Sequence, residues 1–526
     1  LLRACSESSN NQNPSMSVHR KILRGVSGGG IFSLVSIVVT FVQLRLVLDF
    51  LSPSLAGTWL LFISVGSYIA FFDLGLSPTV AREIGFYLGS QRHDHQHKIK
   101  LIADLLVTSN YLFRFLSIAV FLLAVLLGGY IVHTTTSPEQ YSQVAWAWLI
   151  FSTGAALNLW ASSPFAALYG LGYLGTERLI RSFSLLLGLA LTITLLYAGF
   201  GIVGLAAAWA AQGLLSRLIA KLVLYQKYPD LLTVHSKADL QLAKAILIPS
   251  LQWAVMGFGA IMILQTDNVI IASILGSAAI PNYEAVAKIA ITTMSFALLL
   301  VTATSPHISK AYAEKNVALV ASLLSQSVRL SVSAVVFLVA FVAVFGDAII
   351  TLWLGNERFV GFPILWTLLL MVLLEAHHVA LATATVATGR MAFAKPALLA
   401  GLLNLVISVI LAQHLGLWGV ALGTLIAQAL TNNWYAPYVA LKHFGIPFST
   451  HLKTVLMPTA VLLAALLATN FLLKQILIDS TDLTMLPSAI LLSVLIAASI
   501  SYWLVLTKSE RQFIQKRLLC NGRHRP

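Results

Sequence analysis

Charge is scarce in this chain. Asp, Glu, Lys and Arg make up only 10% of its 526 residues, against about 25% in a soluble domain, which excludes an ordinary globule surrounded by water. Cysteine is scarcer still, at two residues, Cys5 and Cys520. Both fall in polar tails, which argues against a disulfide framework and against a cysteine-built metal centre. No Gly-Lys dipeptide occurs, so there is no Walker A loop to cradle ATP. Energy must come from an ion gradient, a substrate gradient or a partner. Long polar segments are also missing. The loops on one side run to about 5 to 15 residues, too little to build a catalytic domain, and no cofactor is expected.

What the chain has instead is apolar sequence, 58% of all residues. Windows of roughly 20 apolar residues, enough to cross a hydrocarbon core of about 30 Å as a helix, recur from Gly28 to Leu506. The runs are continuous rather than alternating, which favours helices over a barrel. The expected fold class is an all-α integral membrane protein with about fourteen spans, the eighth near 285–306 and the eleventh and twelfth near 397–414 and 418–440.

The net charge of +14 would raise the question of nucleic acid in a soluble protein. Its placement argues for topology instead. All Lys and Arg except Arg45, Arg114, Lys288, Arg358 and Lys474 fall in the N-terminal tail and alternate loops, among them Arg178, Arg181, Arg217 and Arg329. By the positive-inside rule those segments and both tails are expected to be cytoplasmic, with anionic lipid headgroups as the partner of the basic loops and no nucleic acid. Leu1 to Ser15 is polar and lacks the apolar core of a signal peptide, so Met16 is the expected native start.

The chain repeats itself. A shift of 215 residues lays LLGLALTITLLYAGFGIVGLAAA on GLLNLVISVILAQHLGLWGVALG, Gly201 on Gly416 and Gly204 on Gly419. This implies two six-span halves in parallel orientation. The expected organisation is a tail (1–26), an N-lobe of spans 1–6 (27–226), a cytoplasmic linker (227–245), a C-lobe of spans 7–12 (246–441), an accessory pair of spans (442–507) and a second tail (508–526).

Ionisable groups inside apolar spans are the candidate functional residues, because each costs about 2.5 to 3.5 kcal/mol to insert and so is expected to face a cavity. They are Arg45, Asp73, Arg114, Asp267, Lys288 and Glu375, with His378 within reach of Glu375 at i+3. Each has a plainer reading. Arg45 and Asp49 suit an i,i+4 pair near the headgroups, Arg114 a snorkelling side chain, His377 and His378 packing or hydrogen-bonding groups, and Asp267 and Glu375 interhelical hydrogen bonds. RHDHQHK, Arg92 to Lys98, suits a solvated loop better than a metal site.

Several stretches resemble the polysaccharide transporter family, the O-antigen type of flippase, within the superfamily that includes multidrug and toxin extrusion carriers. They are QLRLVLDFLSPSLAGTW with Arg45, FFDLGLSPTVARE with Asp73 and Arg82, ALYGLG, QTDNVIIASILGSAAIPNYEAVAKI with Asp267, Tyr283 and Lys288, SPHISKAYAE, FGDAIITLWLG, and LLNLVISVILAQHLGLWGVALGT with Asn404 and Gly416. Family members have twelve or fourteen spans. The resemblance implies two six-helix lobes in a V and export of undecaprenyl-diphosphate-linked oligosaccharide for surface polysaccharide such as lipopolysaccharide. It also implies a bacterial inner-membrane location, and polymerase and glycosyltransferase partners. Under it, Arg45, Arg114 and Lys288 hold the diphosphate, and Asp73, Asp267, Glu375 and His378 couple the cycle to H+ or Na+. Two other transport readings stay open, a multidrug or cation antiporter and a lipid-II flippase. A membrane-embedded enzyme would have to draw on Asp347, Glu357, Asp479 and Asp482, which show no grouping in sequence.

Overall fold

The computed structural model describes residues 14–89, 94–390, 392–477, 484–508 and 510–512. Cys5, Cys520, Arg92, His93, Asp479 and Asp482 lie outside them. Among the described residues the regular structure is helical, and twelve helices are long and apolar enough to cross a membrane. The count differs from fourteen in two places. Ala394–Phe444 is counted once, although its helix breaks at Gly416, whose backbone (φ 59°, ψ −136°) is not helical. Ile280–Ala313 is a helix outside the twelve.

The chain divides into two compact units, Leu1–Ile280 and Pro281–Pro526. In the first, α1 (Pro14–Phe50), α2 (Pro53–Phe71), α3 (Leu76–Gly89), α4 (His95–Leu123), α5 (Gly129–Thr135) and α6 (Tyr141–Trp160) are followed by α7 (Ser163–Gly170), α8 (Leu174–Tyr197), α9 (Gly201–Lys227), α10 (Asp230–Thr233) and α11 (Leu240–Ile274). Helix α11, expected to open the second half, belongs to this unit and packs along α2 and α3. In the second unit, α12 (Ile280–Ala313), α13 (Val317–Leu354), α14 (Phe362–Ala387) and α15 (Ala394–Leu430) precede α16 (Asn432–Phe444), α17 (Phe448–His451), α18 (Met457–Leu477) and α19 (Leu486–Leu504).

Lipid is as apolar as leucine, so burying leucine gains little here, and close approach and hydrogen bonds must hold the helices together. The structure follows that logic. Leu34, Phe115, Leu126 and Leu222 lie on the outside, while helices cross at small residues. Gly154 of α6 meets Ala210 of α9, where a Cβ on the glycine would come within 2.4 Å of the alanine Cβ. An aromatic cluster fills the interior of the first unit, with Phe151 stacked on Trp209 at 4.3 Å and Phe62 edge-on to Trp148 at 4.8 Å. A π-helical turn at Ala124–Gly128 follows α4, and the Ala124 carbonyl accepts the Trp148 indole N–H at 3.0 Å.

Gly201 and Gly416, the pair that the 215-residue shift superposes, both have positive φ, 51° and 59°. Each begins a helix that turns back on its predecessor, a conformation only glycine adopts without strain.

A seam of polar contacts binds α2 to α11 and to the turn after it. Tyr68 Oη lies 2.5 Å from Thr266 Oγ1, Asn268 Nδ2 donates to Ser64 Oγ at 2.9 Å, and Gly57 faces the Ser277 backbone. A Cβ at Gly57 would lie 1.7 Å from the Ser277 carbonyl oxygen. Gly57→Ala is therefore expected to destabilise the protein by about 1–3 kcal/mol, the cost of overpacking a tight contact. Faster thermal unfolding in detergent would report it, and a variant as durable as the parent would refute this account of the seam.

Candidate functional site

The first unit contains a polar cavity of about 480 Å³, lined among others by Asp73, Asn158, Arg181, Trp209, Gln212 and Arg217. Part of its lining is the junction between two helices. Helix α2 stops at Phe71, Leu74 and Gly75 take left-handed backbone (φ 49° and 71°), and α3 restarts at Leu76. A bulky residue at positive φ is a true outlier. Asp73 secures the restart, its Oδ1 accepting from the Ser77 amide at 3.2 Å and the Ser77 hydroxyl at 3.1 Å.

Arg217 reaches the cavity from α9 and closes the C-terminal end of α6. Its Nε donates to the Asn158 carbonyl, which also accepts from Ser162 Oγ at 2.9 Å, and its Nη1 donates to the Gly213 carbonyl at 3.1 Å. A cation there also suits the negative end of the helix dipole. Gly213 makes the approach feasible, since a Cβ would lie 2.1 Å from Asn158. Arg217 also interacts electrostatically with Asp73.

Arg181 extends from α8 over the Phe165 ring, 4.3 Å from its centroid, while its Nε donates to Glu177. Glu177 is buried and also pairs with Arg178 at 3.5 Å. An adjoining cavity of about 770 Å³ shares Arg181 and Arg217 and adds Arg82, Glu177 and Arg178. Four guanidinium groups thus line the two cavities, against the carboxylates of Asp73 and Glu177. Arg82 also pairs with Glu83 at 3.1 Å.

Of the residues singled out in the sequence, Asp73 lines this site. Arg45 makes its i,i+4 pair with Asp49 at 2.7 Å, with both partners about half exposed (46% and 47%). Such a pair contributes about 0–1 kcal/mol. Arg114 is exposed and lies 5.4 Å from the Trp160 ring centroid, while Asn110 accepts from Ser163 at 2.6 Å. Lys288 pairs with Glu284 one turn earlier, at 3.2 Å. Asp267 is half-buried between the seam residues Thr266 and Asn268 and interacts electrostatically with Tyr68.

Glu375 and His378 form a second polar centre, inside the second unit. Glu375 lies 3.3 Å from His378 Nδ1 and hydrogen-bonds Gln428. The same Nδ1 is 3.0 Å from Asn433 Oδ1, an acceptor, so it carries the proton. His377 faces His451 with their Nε2 atoms 2.9 Å apart, one donating and the other accepting.

Sequence reasoning missed Arg181 and Arg217, which it counted among the cytoplasmic loop charges. A signal was present. Arg217 falls inside the apolar window that follows Gly201, and Arg181 begins the one before it.

No family model matches the chain. A search of curated proteins finds EpsK, an uncharacterised membrane protein of Bacillus subtilis strain 168, 24% identical over 272 residues, or 49% of this chain. The chain spans about half the length of that relative, 52%. Solved structures align far more completely. The lipid II flippase MurJ in an inward closed conformation superposes with a TM-score of 0.65 at 14% identity, covering 89% of this chain and 97% of that one. An inward-facing multidrug resistance MATE transporter gives 0.62 at 18% identity over 79% and 96%. A transporter from Pyrococcus furiosus, described as having a binding pocket of reverse polarity, gives 0.55 at 16% identity over 80% and 96%. The chain has the fold of the MOP-superfamily transporters.

Proposed function

We propose that the protein is a secondary transporter, not an enzyme, that flips undecaprenyl-diphosphate-linked oligosaccharide across the bacterial inner membrane for surface polysaccharide assembly, by ion-coupled alternating access. The observation that carries this reading is the arginine-lined cavity of the first unit. Guanidinium groups present a rigid fork of donors suited to two phosphate oxygens at once, and they keep their charge when buried. A carrier of cationic drugs would need the opposite balance, with carboxylates in excess. The fold supports transport, since the lipid II flippase MurJ shares it, and EpsK, a membrane protein, is similar in sequence over about half of this chain. Asp73, which shares the cavity with Arg217, is positioned to compete with the diphosphate for that cation. Protonation or sodium binding at Asp73 would then release Arg217 to the substrate and bias the cycle. Glu375 with His378 supplies a second ion site, and Lys288 and Asp267 act along the route.

Proteoliposomes holding a fluorescent undecaprenyl-diphosphate oligosaccharide in one leaflet test the reading. The protein should expose the label to an impermeant quencher faster than empty vesicles, and ethidium should not move. Ethidium movement without lipid flipping would replace this reading with the antiporter. In cells scored for surface polysaccharide, with protein levels checked, Asp267→Asn and Lys288→Ala should each impair export without affecting membrane insertion. Normal glycan from both would remove these two residues from the mechanism.

A further inference from the structure

A separate cavity of about 600 Å³ lies at one end of the second unit, where α12 ends, α13 begins and α16 ends. Its lining combines Lys315 and Lys442 with Tyr312, Val317, Val320 and Phe444. The volume falls within the range of about 300–1,000 Å³ usual for small-ligand sites. Aromatic rings form one wall, with Tyr312 5.2 Å from His443 and 6.3 Å from Phe444, centroid to centroid.

His443, also in the lining, is not one of the cationic groups. Arg390 Nη1, which can only donate, lies 3.2 Å from His443 Nδ1, so that nitrogen accepts. The ring proton therefore sits on Nε2 and is donated to Thr388 Oγ1 at 2.9 Å, while Thr388 donates onward to the Thr385 carbonyl at 2.7 Å. The imidazole is a neutral, fixed wall, and the positive charge comes from Lys315, Lys442 and the neighbouring Arg390. Glu314, the acid beside Lys315, is paired at 3.9 Å with Lys310.

Two further features say what fits. Lys315 closes α12 with a left-handed backbone (φ 55°), its amide bonded to the Tyr312 carbonyl and the Asn316 amide to the Ala311 carbonyl. Glycine fills such a position without strain, so a lysine there is an outlier whose charge has a use. Lys442, Tyr438 and Trp434 then follow at four-residue steps on α16, all exposed, with the Lys442 ammonium 5.7 Å from the Tyr438 ring centroid. Basic at the pocket and aromatic beyond it, this stripe runs about 12 Å along the helix. It has the charge and polarity of a membrane interface, where lysine meets lipid phosphate and tyrosine and tryptophan lie against upper acyl chains.

We infer that this cavity binds an anionic phospholipid of the surrounding leaflet, its phosphate between Lys315 and Lys442 and its acyl chains along Tyr438 and Trp434. The site is independent of the transported substrate and stands whether or not the proposed function holds. It would make the second unit sensitive to bilayer composition, since the lipid would tie α12 and α13 to α16.

The test uses the full chain in detergent, titrated with phosphatidylglycerol or with phosphatidylcholine of the same acyl chains, counting bound lipid by native mass spectrometry. Phosphatidylglycerol should be retained at least tenfold more tightly. Lys315→Gly, which relieves the left-handed backbone and so should fold at least as well as the parent, should weaken it by about fivefold, the factor expected of one basic residue at an anionic surface. Lys442→Gln should do the same, and the two together should erase the preference. Equal retention of both lipids by the parent, or an unchanged preference in the folded double variant, would overturn the assignment. So would complete displacement by millimolar glycerol 3-phosphate, which would make this a site for free phosphate esters.

Discussion

Replacing Arg217 with glutamine is expected to reduce flipping by about ten- to a hundredfold at limiting substrate, the loss that accompanies removal of a charge-assisted hydrogen-bonding group. The guanidinium sits where three demands meet. It satisfies the Asn158 carbonyl at the end of α6, it bonds the Gly213 carbonyl on its own helix, and it balances Asp73 across the cavity. Glutamine can replace one of those bonds but neither the charge nor the fork. A purely architectural role would act differently, through lower protein levels and faster unfolding, with unchanged apparent affinity in the protein that remains. Arg217→Lys separates the two. It keeps the charge near Asp73 but cannot present two parallel donors to a phosphate, so the apparent KM should rise while the protein remains folded. Asp73→Asn should show the complementary phenotype, with binding retained and dependence on the ion gradient lost. Full flipping by Arg217→Gln at normal abundance would sink the assignment of this cavity to the substrate.

The rule that hid Arg217 from the sequence is the positive-inside rule, on which the expected topology rests. Basic residues accumulate at cytoplasmic ends of spans, so an arginine near such an end is read as a loop charge. Arg181, Arg217 and Arg329 were all expected near such ends, yet each is inside a helix, in α8, α9 and α13 respectively. What distinguishes them is the surface they face, and that depends on neighbouring helices. Local periodicity was more informative where both partners lie on one helix. The Glu375–His378 contact and the Arg45–Asp49 pair follow from spacings of three and four residues. Asp73 was legible for another reason, since a carboxylate inside an apolar run needs a polar cavity wherever its helix packs. Convergence of α1, α2, α6, α8 and α9 on one chamber lay beyond reach, because the small residues that permit it, Gly66, Gly154 and Gly213, look like any other glycines in an apolar helix. The place of α11 in the first unit was hidden similarly. Its attachment rests on Thr266, Asn268 and Ser277 meeting α2, contacts about 200 residues apart in sequence.

The two polar centres divide the chemistry between the units. In the first, arginines outnumber carboxylates and the cavity is large enough for a phosphate and part of a sugar. In the second, Glu375, His378, Gln428 and Asn433 bond to one another in packed surroundings, an arrangement suited to a proton or a small cation rather than a bulky anion. Substrate affinity and ion sensitivity should therefore respond to different substitutions, so Glu375→Gln should alter gradient dependence and leave lipid-linked substrate binding in detergent unchanged.

The largest effect on stability is expected far from either centre, at Glu510. Arg329, on α13, donates through Nη2 to both Glu510 carboxylate oxygens at 2.8 and 2.9 Å, with the two side chains only 8% and 16% exposed. Glu510 also accepts the Thr507 amide at 2.7 Å, which fixes the short turn that carries it after α19. Removing one member of a buried pair strands the other charge, at a cost of about 3–5 kcal/mol. Here the guanidinium is already short of a partner, since its Nε has none among the described residues. Glu510→Ala should therefore lower the unfolding free energy in a steric-trapping experiment by about that amount. Replacing both residues by apolar ones, Arg329→Met with Glu510→Leu, should recover most of the loss, because no unpaired charge would remain to be desolvated. The cycle separates a charge effect from loss of a contact. Were the double variant as unstable as Glu510→Ala alone, the stability would reside in the geometry of the turn after α19. If Glu510→Ala matched the parent, the pair would have no structural role in holding that turn to α13.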